Sequence, residues 1–263
     1  MPGPPWLVLP TYNEAENLET VVTASRSVLA AAAPEGFRIL VVDDHSPDGT
    51  GAIADRLAAA HPGEVEVLHR PPHGGLGPAY LAGFGRALDG GAGYVFEMDA
   101  DLSHDPADLA RLLAAARAGA GLALGSRYAP GGGIADWGRV RRAISRGGSW
   151  YARRVLGVHV RDLTGGFKCF RAEALAALDL PTVRSHGYAF QVELTYRALC
   201  AGVEVVEVPI VFRDRRRGES KMSWRIAVEA IWLVPALRHS ARAAVRAGGT
   251  SAQAPGAARR SDV

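Results

Sequence analysis

The sequence of 263 residues predicts an α/β fold in which a mostly parallel central sheet is flanked by helices. Two observations predict this fold. Short apolar runs alternate with helical patterns along the first half of the chain, which is typical of βαβ units. Polar clusters follow directly after these runs, where parallel sheets of this class bind their ligands. The content of 48% hydrophobic and 22% charged residues is that of an ordinary globular domain.

The elements can be assigned in order along the chain. Strands are predicted at 6–9, 38–42, 65–68, 94–98 and 122–124, and helices at 14–32, 51–60, 78–88 and 106–117. After residue 127 a glycine-rich loop precedes an arginine-rich helix at 139–156, a polar turn at 162–171, a helix at 190–200 and a strand at 203–208. The division that follows is a domain at 1–222, an amphipathic helix at 223–246 and a disordered tail at 247–263.

The charge is concentrated in one segment. The formal net charge of +3 is too small to indicate a general nucleic-acid binder. Between Arg127 and Arg161, however, the chain carries eight arginines and a single acid, Asp136. This excess indicates either an anionic partner, such as a phosphate group or an acidic membrane surface, or a solvated face, and the charge run alone does not decide between them.

The cysteines and the apolar content bear on the compartment. Cys169 and Cys200 are far apart and lack metal-ligand spacing, so we expect no disulfide framework and a reducing compartment. No basic leader and no stretch of about 18 uninterrupted apolar residues is present, so neither a signal peptide nor a spanning helix is predicted. The expectation is a cytoplasmic protein that is soluble or lies on a membrane surface.

The segment "YVFEMDADLSHDP" (94–106) ends a strand in several carboxylates. Asp99 and Asp101 are two residues apart on an extended segment, so both side chains point to the same side and can share one ligand. Hard divalent cations such as Mg²⁺ or Mn²⁺ prefer carboxylate and phosphate oxygens, so the pair could bridge a metal ion to a diphosphate. The alternative is a loop or a helix cap, the role that we assign to Asp105 before Pro106.

A second acidic cluster, "VVDDHSPDGT", ends another predicted strand. One of Asp43 and Asp44 could accept a hydrogen bond from a base or a ribose, while the other holds the loop. Asp48 and Gly49 form a turn signal, and Thr50 is predicted to cap the next helix.

These segments, with others, carry a resemblance to a known family. The motifs "LPTYNEAENL", "VVDDHSPDGT", "MDADLSHDP", "GSRY", "AISRGG", "DLTGGFK", "GYAFQVEL" and "GESK" occur in this order over residues 9–221. Together they resemble the polyprenol-phosphate (dolichol-phosphate) mannose synthases, within the inverting family 2 glycosyltransferases of GT-A fold. The first motifs are shared by many sugar transferases, whereas "DADLSH" with "DLTGGFK" and "GESK" is much narrower.

The resemblance implies GDP-mannose as donor, a polyprenyl phosphate as acceptor and Mg²⁺ or Mn²⁺ as cofactor. By matching motifs, it implies a donor site of Pro10, Tyr12, Glu14, Val42, Asp44, Asp99, Ala100, Asp101, Arg127, Arg215 and Lys221. The implied acceptor-phosphate site consists of Arg127, Arg141, Ser145 and Arg146. Asp99 and Asp101 would serve the metal, and the same two aspartates with Arg127 would be the catalytic residues.

The expected chemistry requires no general base, because a polyprenyl phosphate is already an anion at neutral pH. Glu193 is therefore interpreted as a structural or site-organising residue. The absence of a "QxxRW" motif disfavours a polymerising enzyme. Two alternatives remain open: the same transfer from a UDP-sugar (glucose or N-acetylhexosamine), and a nucleotide-sugar-binding subunit without turnover. A dehydrogenase is disfavoured, because no G-x-G-x-x-G turn follows the first strand.

The helix predicted at 223–246 interleaves tryptophans with arginines. It could lie in a membrane interface or pack against the sheet, and the sequence does not decide between the two. We expect a peripheral protein on the cytoplasmic face of the membrane and no nucleic-acid partner. A separate membrane-embedded partner could anchor it.

Overall fold

The computed structural model describes residues 2–72, 74–183, 185, 187–213 and 234–238. Within these ranges the strands are β1 (Pro5–Thr11), β2 (Arg38–Asp43), β3 (Val65–His69), β4 (Tyr94–Glu97), β5 (Leu122–Ser126), β6 (Gly133–Ile134), β7 (Lys168–Arg171), β8 (Val205–Pro209) and β9 (Val211–Phe212). The helices are α1 (Leu18–Ala32), α2 (Thr50–Ala60), α3 (Leu76–Asp89), α4 (Asp108–Arg117), α5 (Arg139–Leu156), α6 (Ala172–Ala176) and α7 (Gly187–Cys200). A short 3₁₀ helix spans Leu180–Thr182.

The central sheet has the strand order β3-β2-β1-β4-β7-β5-β8. All neighbouring strands run parallel except β7, which is antiparallel to both β4 and β5. Strands β6 and β9 form a separate parallel pair. The expected mostly parallel sheet is confirmed, and the carboxyl ends of β1, β2, β4 and β5 therefore lie along one edge.

Apolar clusters cover both faces of the sheet. Leu7, Leu9 and Phe96 pack with residues of α1, α2 and α4 on one face. On the opposite face, Trp6 and Val8 pack with residues of α3 and α7. The alternation of neighbouring β1 residues between the two clusters follows from the two-residue period of a strand. A sheet buried on both faces holds its polar strand ends in fixed positions.

Strand β7 corrects the sequence analysis, which predicted a polar turn over 162–171. Residues Lys168–Arg171 form a strand inserted between β4 and β5. The run is only four residues long and follows two glycines, so its sequence shows no strand period. Its neighbours decide its conformation, because β4 and β5 would otherwise leave backbone groups unpaired inside the sheet.

A further apolar cluster joins α5 and α7 to residues 234–238, which are helical. Val234 is buried in this cluster and Leu237 packs against it. This short stretch belongs to the helix predicted at 223–246, whose other residues lie outside the described ranges, as does the tail at 247–263. No helix in the described part of the chain is long and apolar enough to cross a membrane.

Candidate active site

Four strand ends bring the predicted donor residues together at one edge of the sheet. Pro10 of β1 and Val42 of β2 are directly paired in the parallel register. Ala100 is buried in the turn after β4. The structure therefore places these three predicted donor residues at the expected edge.

The turn after β1 carries the remaining residues of the "PTYNE" motif. Tyr12 is 42% exposed, which leaves its ring accessible to a ligand. The backbone N–H of Glu14 donates to Oγ1 of Thr50 at 2.9 Å, and Nδ2 of Asn17 donates to a Glu14 carboxylate oxygen at 2.9 Å. Glu14 therefore connects the turn after β1 with Thr50 at the start of α2 and with Asn17 at the start of α1.

The two adjacent acids after β2 have different partners. Asp43 is buried and accepts hydrogen bonds from the Thr11 hydroxyl at 3.3 Å and the Ser46 hydroxyl at 2.6 Å. It therefore holds the loop. Asp44 is paired with the guanidinium of Arg70 instead. Since Asp43 holds the loop, Asp44 stays the acid of the two that is predicted to contact the ligand. The sequence did not indicate Arg70 as the partner of Asp44.

Gly49, in a left-handed conformation, is the N-cap residue of α2, which corrects the prediction that Thr50 caps this helix. Thr50 is the first helical residue, and both its backbone N–H and its hydroxyl donate to Asp48, at 3.0 and 2.6 Å. Burial opposes ionisation of Asp48, but hydrogen bonds from Thr50 and the Ala15 amide outweigh it and lower the pKa. An ionised Asp48 also suits the positive end of the helix dipole.

Asp99 and Asp101 lie in the turn that follows β4. Asp99 is partly exposed and accepts a hydrogen bond from the Tyr80 hydroxyl at 3.3 Å, with Nε2 of His104 at 3.7 Å from its other oxygen. Asp101 is buried and accepts the backbone N–H of Ser103 at 3.0 Å. Both carboxylates are thus held from several sides, which fixes their orientation.

A buried ion pair lies directly before these two carboxylates in the sheet. Glu97 of β4 and Lys168 of β7 are both fully buried, with Nζ 3.5 Å from Oε2, and Lys168 also donates to Gln191 of α7. Burial raises the pKa of Glu97 to about 7, although Lys168 opposes this shift. Burial lowers the pKa of Lys168 despite the nearby carboxylates. Lys168 therefore brings a positive charge close to the carboxylates of Glu97 and Asp99.

Arg127, at the end of β5, makes a two-pronged ion pair with Asp162. Its Nε and NH2 lie 2.7 and 2.6 Å from the two oxygens of Asp162, and NH2 also donates to Thr164 at 2.7 Å. Both side chains are buried. Burial favours protonation of Asp162, but the charge and hydrogen bonds of Arg127 outweigh it and lower the pKa. The Asp162 pairing orients Arg127, whose role at the donor or acceptor stays a prediction.

The predicted acceptor residues lie on or beside helix α5. Ser145 accepts a hydrogen bond from the Tyr128 hydroxyl at 2.7 Å, which links the helix to the end of β5. The guanidinium of Arg146 lies 5.9 Å from the Tyr128 ring, and that of Arg141 lies 4.0 Å from the Trp137 ring. Helix α5 spans the predicted residues 139–156.

The contacts of Glu193 tie α7 to the segment before it. Glu193 accepts from the Ser185 backbone N–H at 3.2 Å, just before α7, and from Nε of Arg197, one turn farther along α7, at 2.9 Å. This agrees with its interpretation as a residue that organises structure. The predicted diphosphate residues Arg215 and Lys221 lie outside the described residues.

The donor atoms at this edge suit a hard divalent cation. No group of three or more His, Cys, Asp or Glu side chains in the described part of the chain is arranged to hold a metal ion. Asp99 and Asp101 supply carboxylate oxygens, the chemistry that Mg²⁺ and Mn²⁺ prefer, and both ions commonly take further oxygens from a bound phosphate. The pair therefore fits an ion whose other ligands arrive with a diphosphate.

Several residues of the site carry roles that the sequence analysis did not assign. They are Arg70, Tyr80, His104, Tyr128, Asp162 and Lys168. Tyr128, Asp162 and Lys168 stand inside the quoted motifs "GSRY" and "DLTGGFK", so the motifs contained the signal. Nothing local to Arg70 or Tyr80 marks either as a partner of an acid.

The chain was compared with known proteins. The family model for glycosyl transferase family 2 matches residues 6–179. A polyprenol monophosphomannose synthase of Mycolicibacterium smegmatis is 50% identical over 87% of this chain and 84% of its own length. An undecaprenyl-phosphate mannosyltransferase of Micrococcus luteus is 48% identical over 85% of this chain and 89% of its own length.

Solved structures resemble the fold. Glucosyl-3-phosphoglycerate synthase from Mycobacterium tuberculosis, in complex with Mn²⁺, UDP-glucose and phosphoglyceric acid, superposes with a TM-score of 0.66 at 18% identity. The match covers 90% of this chain and 80% of that one. This likeness confirms the expected GT-A architecture and no more. The family model and the two relatives show that the chain belongs to glycosyl transferase family 2, among the polyprenyl-phosphate mannosyltransferases.

Proposed function

We propose that this protein transfers mannose from GDP-mannose to a polyprenyl phosphate with inversion, giving polyprenyl-phosphate mannose and GDP. The observation that carries the proposal is the identity of 50% and 48% to two relatives named for such products, over most of their lengths. The site supports it, because an acidic edge for a nucleotide sugar lies beside an arginine-bearing helix.

The donor would bind along the acidic edge. Pro10, Tyr12, Glu14, Val42 and Asp44 line the part of the edge assigned to the nucleotide. Asp99 and Asp101, with Ala100 between them, would hold Mg²⁺ or Mn²⁺. The ion, when bound, would neutralise charge on the diphosphate of the leaving GDP.

The acceptor would be a phosphate that attacks directly. One phosphate oxygen of the polyprenyl phosphate forms a bond to the anomeric carbon while the bond from that carbon to GDP breaks. No proton has to be removed, so a general base is unnecessary. The task of the protein is to bring two anions together, and Arg127, Arg141 and Arg146, with the Ser145 hydroxyl, would supply compensating donors. Arg215 and Lys221, in the segment after β9, would instead clamp the diphosphate of the donor.

The protein would work on the surface of a membrane, at its cytoplasmic face. Helix α5 supports this proposal, because Ile144 and Trp150 are 61% and 64% exposed among its arginines. Apolar side chains amid cationic ones are typical of segments that rest on anionic lipid. The helix at 223–246 would either join this contact or pack on the domain at 1–222, and a membrane-embedded partner would hold the protein in place.

The experiment measures transfer of labelled sugar to a short polyprenyl phosphate from GDP-mannose or UDP-glucose, with Mg²⁺, with Mn²⁺ and with EDTA. We expect label in the organic phase from GDP-mannose alone, with either metal and not with EDTA. Label from UDP-glucose instead would overturn the mannose assignment and leave the reaction type intact. No label from any donor would favour a binding subunit without turnover.

A further inference from the structure

Three arginines and three aromatic rings near the end of β5 form one continuous series of contacts, here called the arginine–aromatic series. Its order is Arg146, Tyr128, Arg127, Phe212, Trp137 and Arg141. The guanidinium carbons of Arg146 and Arg127 lie 5.9 and 5.4 Å from the centre of the Tyr128 ring. Tyr128 thus stands between two cations.

The other half of the series continues from Arg127. Its guanidinium carbon lies 5.6 Å from the Phe212 ring, and Phe212 meets Trp137 edge to face at 5.4 Å between ring centres. Arg141 then lies 4.0 Å from the Trp137 ring, the shortest cation-to-ring distance in the series. Trp137 and Arg127 are both buried, whereas Arg141 is partly exposed.

This arrangement addresses an electrostatic difficulty. Three guanidinium groups gathered for one anion repel each other until the anion arrives. The faces of aromatic rings carry partial negative charge, and a cation within about 6 Å of a ring centre is attracted to it. Each of the three arginines has such a ring, and Arg127 also pairs with the buried carboxylate of Asp162. The rings can therefore hold the cations together without neutralising them.

The series also joins elements that are far apart in the chain. Tyr128 follows β5 and donates to Ser145 in the middle of α5. Phe212 belongs to β9, and the next residue, Arg213, donates its backbone N–H to the Ser103 carbonyl at 3.0 Å, in the turn of the metal-site aspartates. The rings thus fix α5 and β9 relative to the donor edge.

We propose that Tyr128, Phe212 and Trp137 are positioning residues that hold Arg127, Arg141 and Arg146 as one site for a single phosphate anion, that of the polyprenyl acceptor. The inference rests on the proposed function for the identity of the acceptor. The inference adds that the rings, by holding the arginines, set the affinity of the protein for the acceptor phosphate and leave its affinity for the nucleotide donor unchanged.

The experiment compares Trp137→Leu and Tyr128→Leu with Tyr94→Leu as a matched control. Tyr94 has the guanidinium of Arg117 at 5.9 Å from its ring, the same distance as in the pair of Arg146 with Tyr128. Tyr94 is also largely buried, but it is the first residue of β4, at the amino end of the strand. The control therefore loses an equivalent contact on the opposite side of the sheet.

Binding of farnesyl phosphate and of GDP with Mn²⁺ is measured by calorimetry for each full-length variant, and thermal unfolding is recorded in parallel. We expect each of the two site variants to bind farnesyl phosphate about fivefold more weakly or worse, with GDP affinity unchanged. Tyr94→Leu should lower the unfolding temperature to a similar extent while binding both ligands like the wild type. Tyr128→Phe, which keeps the ring, should stay close to the wild type.

Each other result has a defined meaning. Wild-type affinity for farnesyl phosphate in both site variants would overturn the inference and leave the proposed function standing. An equal loss of acceptor and GDP affinity would also overturn it, because the rings would then support the site as a whole. A defect in Tyr128→Phe as large as in Tyr128→Leu would assign the role to the hydroxyl instead. Failure of the wild type to bind farnesyl phosphate would overturn the proposed function itself. Should Trp137→Leu not fold, Phe212→Leu replaces it.

Discussion

The proposed donor edge and the proposed acceptor side of the site are held together in different ways. At the donor edge, some acids are fixed by hydrogen bonds from nearby residues, as Asp101 is by the Ser103 amide, and others by partners farther along the chain, as Asp44 is by Arg70. On the acceptor side, arginines are fixed by an acid and by aromatic rings, as Arg127 is by Asp162. The first region presents carboxylates, and the second presents guanidinium groups.

This difference follows from what each region has to bind. A metal ion with a diphosphate needs carboxylate oxygens at fixed positions, which one tight turn can provide. An acceptor anion needs several cations, and cations gathered in one turn would repel each other. Spreading them over the end of β5 and α5 lets separate partners compensate each charge before the ligand arrives.

The largest effect is expected from Asp101→Asn at the donor edge. The substitution keeps the size of the side chain and its hydrogen bond from the Ser103 amide, but removes the negative charge. We expect turnover to fall about a thousandfold with the unfolding temperature unchanged, because charge compensation of the leaving group is lost. Steady-state transfer assays with Mg²⁺ and Mn²⁺ measure it.

Asp105→Asn is the matched control for Asp101→Asn. Asp105 is exposed in the same loop and only accepts the backbone N–H of Ala107 at 3.0 Å. This variant should retain wild-type turnover. A near-normal rate in Asp101→Asn would mean that Asp101 does not hold the metal ion. The donor edge would then not be the metal-binding region that the comparison assumes.

Asp162→Asn tests the acceptor side. It leaves Arg127 buried without its opposite charge, which typically costs about 3–5 kcal/mol of folding free energy. Urea denaturation should show a loss of this size, whereas Asp108→Asn should cost less than about 1 kcal/mol, because its partner Arg111 is half exposed. A loss in Asp162→Asn as small as in the control would mean that the rings alone hold Arg127.

The separation in sequence between contacting residues explains which features the sequence could predict. The alternation of strands and helices, the full extent of α5 and the acids at the strand ends were all readable, because each depends on residues close together in the chain. Contacts at the donor edge such as Asp101 with Ser103, or Asp48 with Thr50, span two residues. Motifs of this kind are visible in a single sequence.

The features that the sequence did not show depend on contacts between residues that are far apart in the chain. Strand β7 has four residues and owes its conformation to β4 and β5 on either side. The pairing of Arg127 with Asp162 spans 35 residues, and that of Arg70 with Asp44 spans 26. No periodicity or composition specifies such partners, since they are chosen by the topology of the sheet.

Glu97 gives the donor edge a dependence of stability on pH. Its pKa is about 7 in the folded protein, above its ordinary value of 4.5, so the folded protein retains a proton that the unfolded chain releases. Stability should therefore fall as the pH rises from about 4.5 to 7, by about 3 kcal/mol at most. Thermal unfolding in EDTA over this range should show a smaller decrease in Glu97→Gln. An unchanged profile would mean that Lys168 keeps Glu97 ionised throughout.

The smallest effect, and the sharpest for the comparison, is expected from Arg141→Ala. Arg141 lies on α5, and its guanidinium packs on Trp137. Loss of one charged contact to a phosphate should raise the KM for the acceptor about tenfold with little change in the KM for GDP-mannose. Arg154→Ala, an exposed arginine in the last turn of the same helix, should change neither constant. Equal changes in both constants for Arg141→Ala would mean that donor and acceptor share this arginine, and the two regions would then act as one charged site.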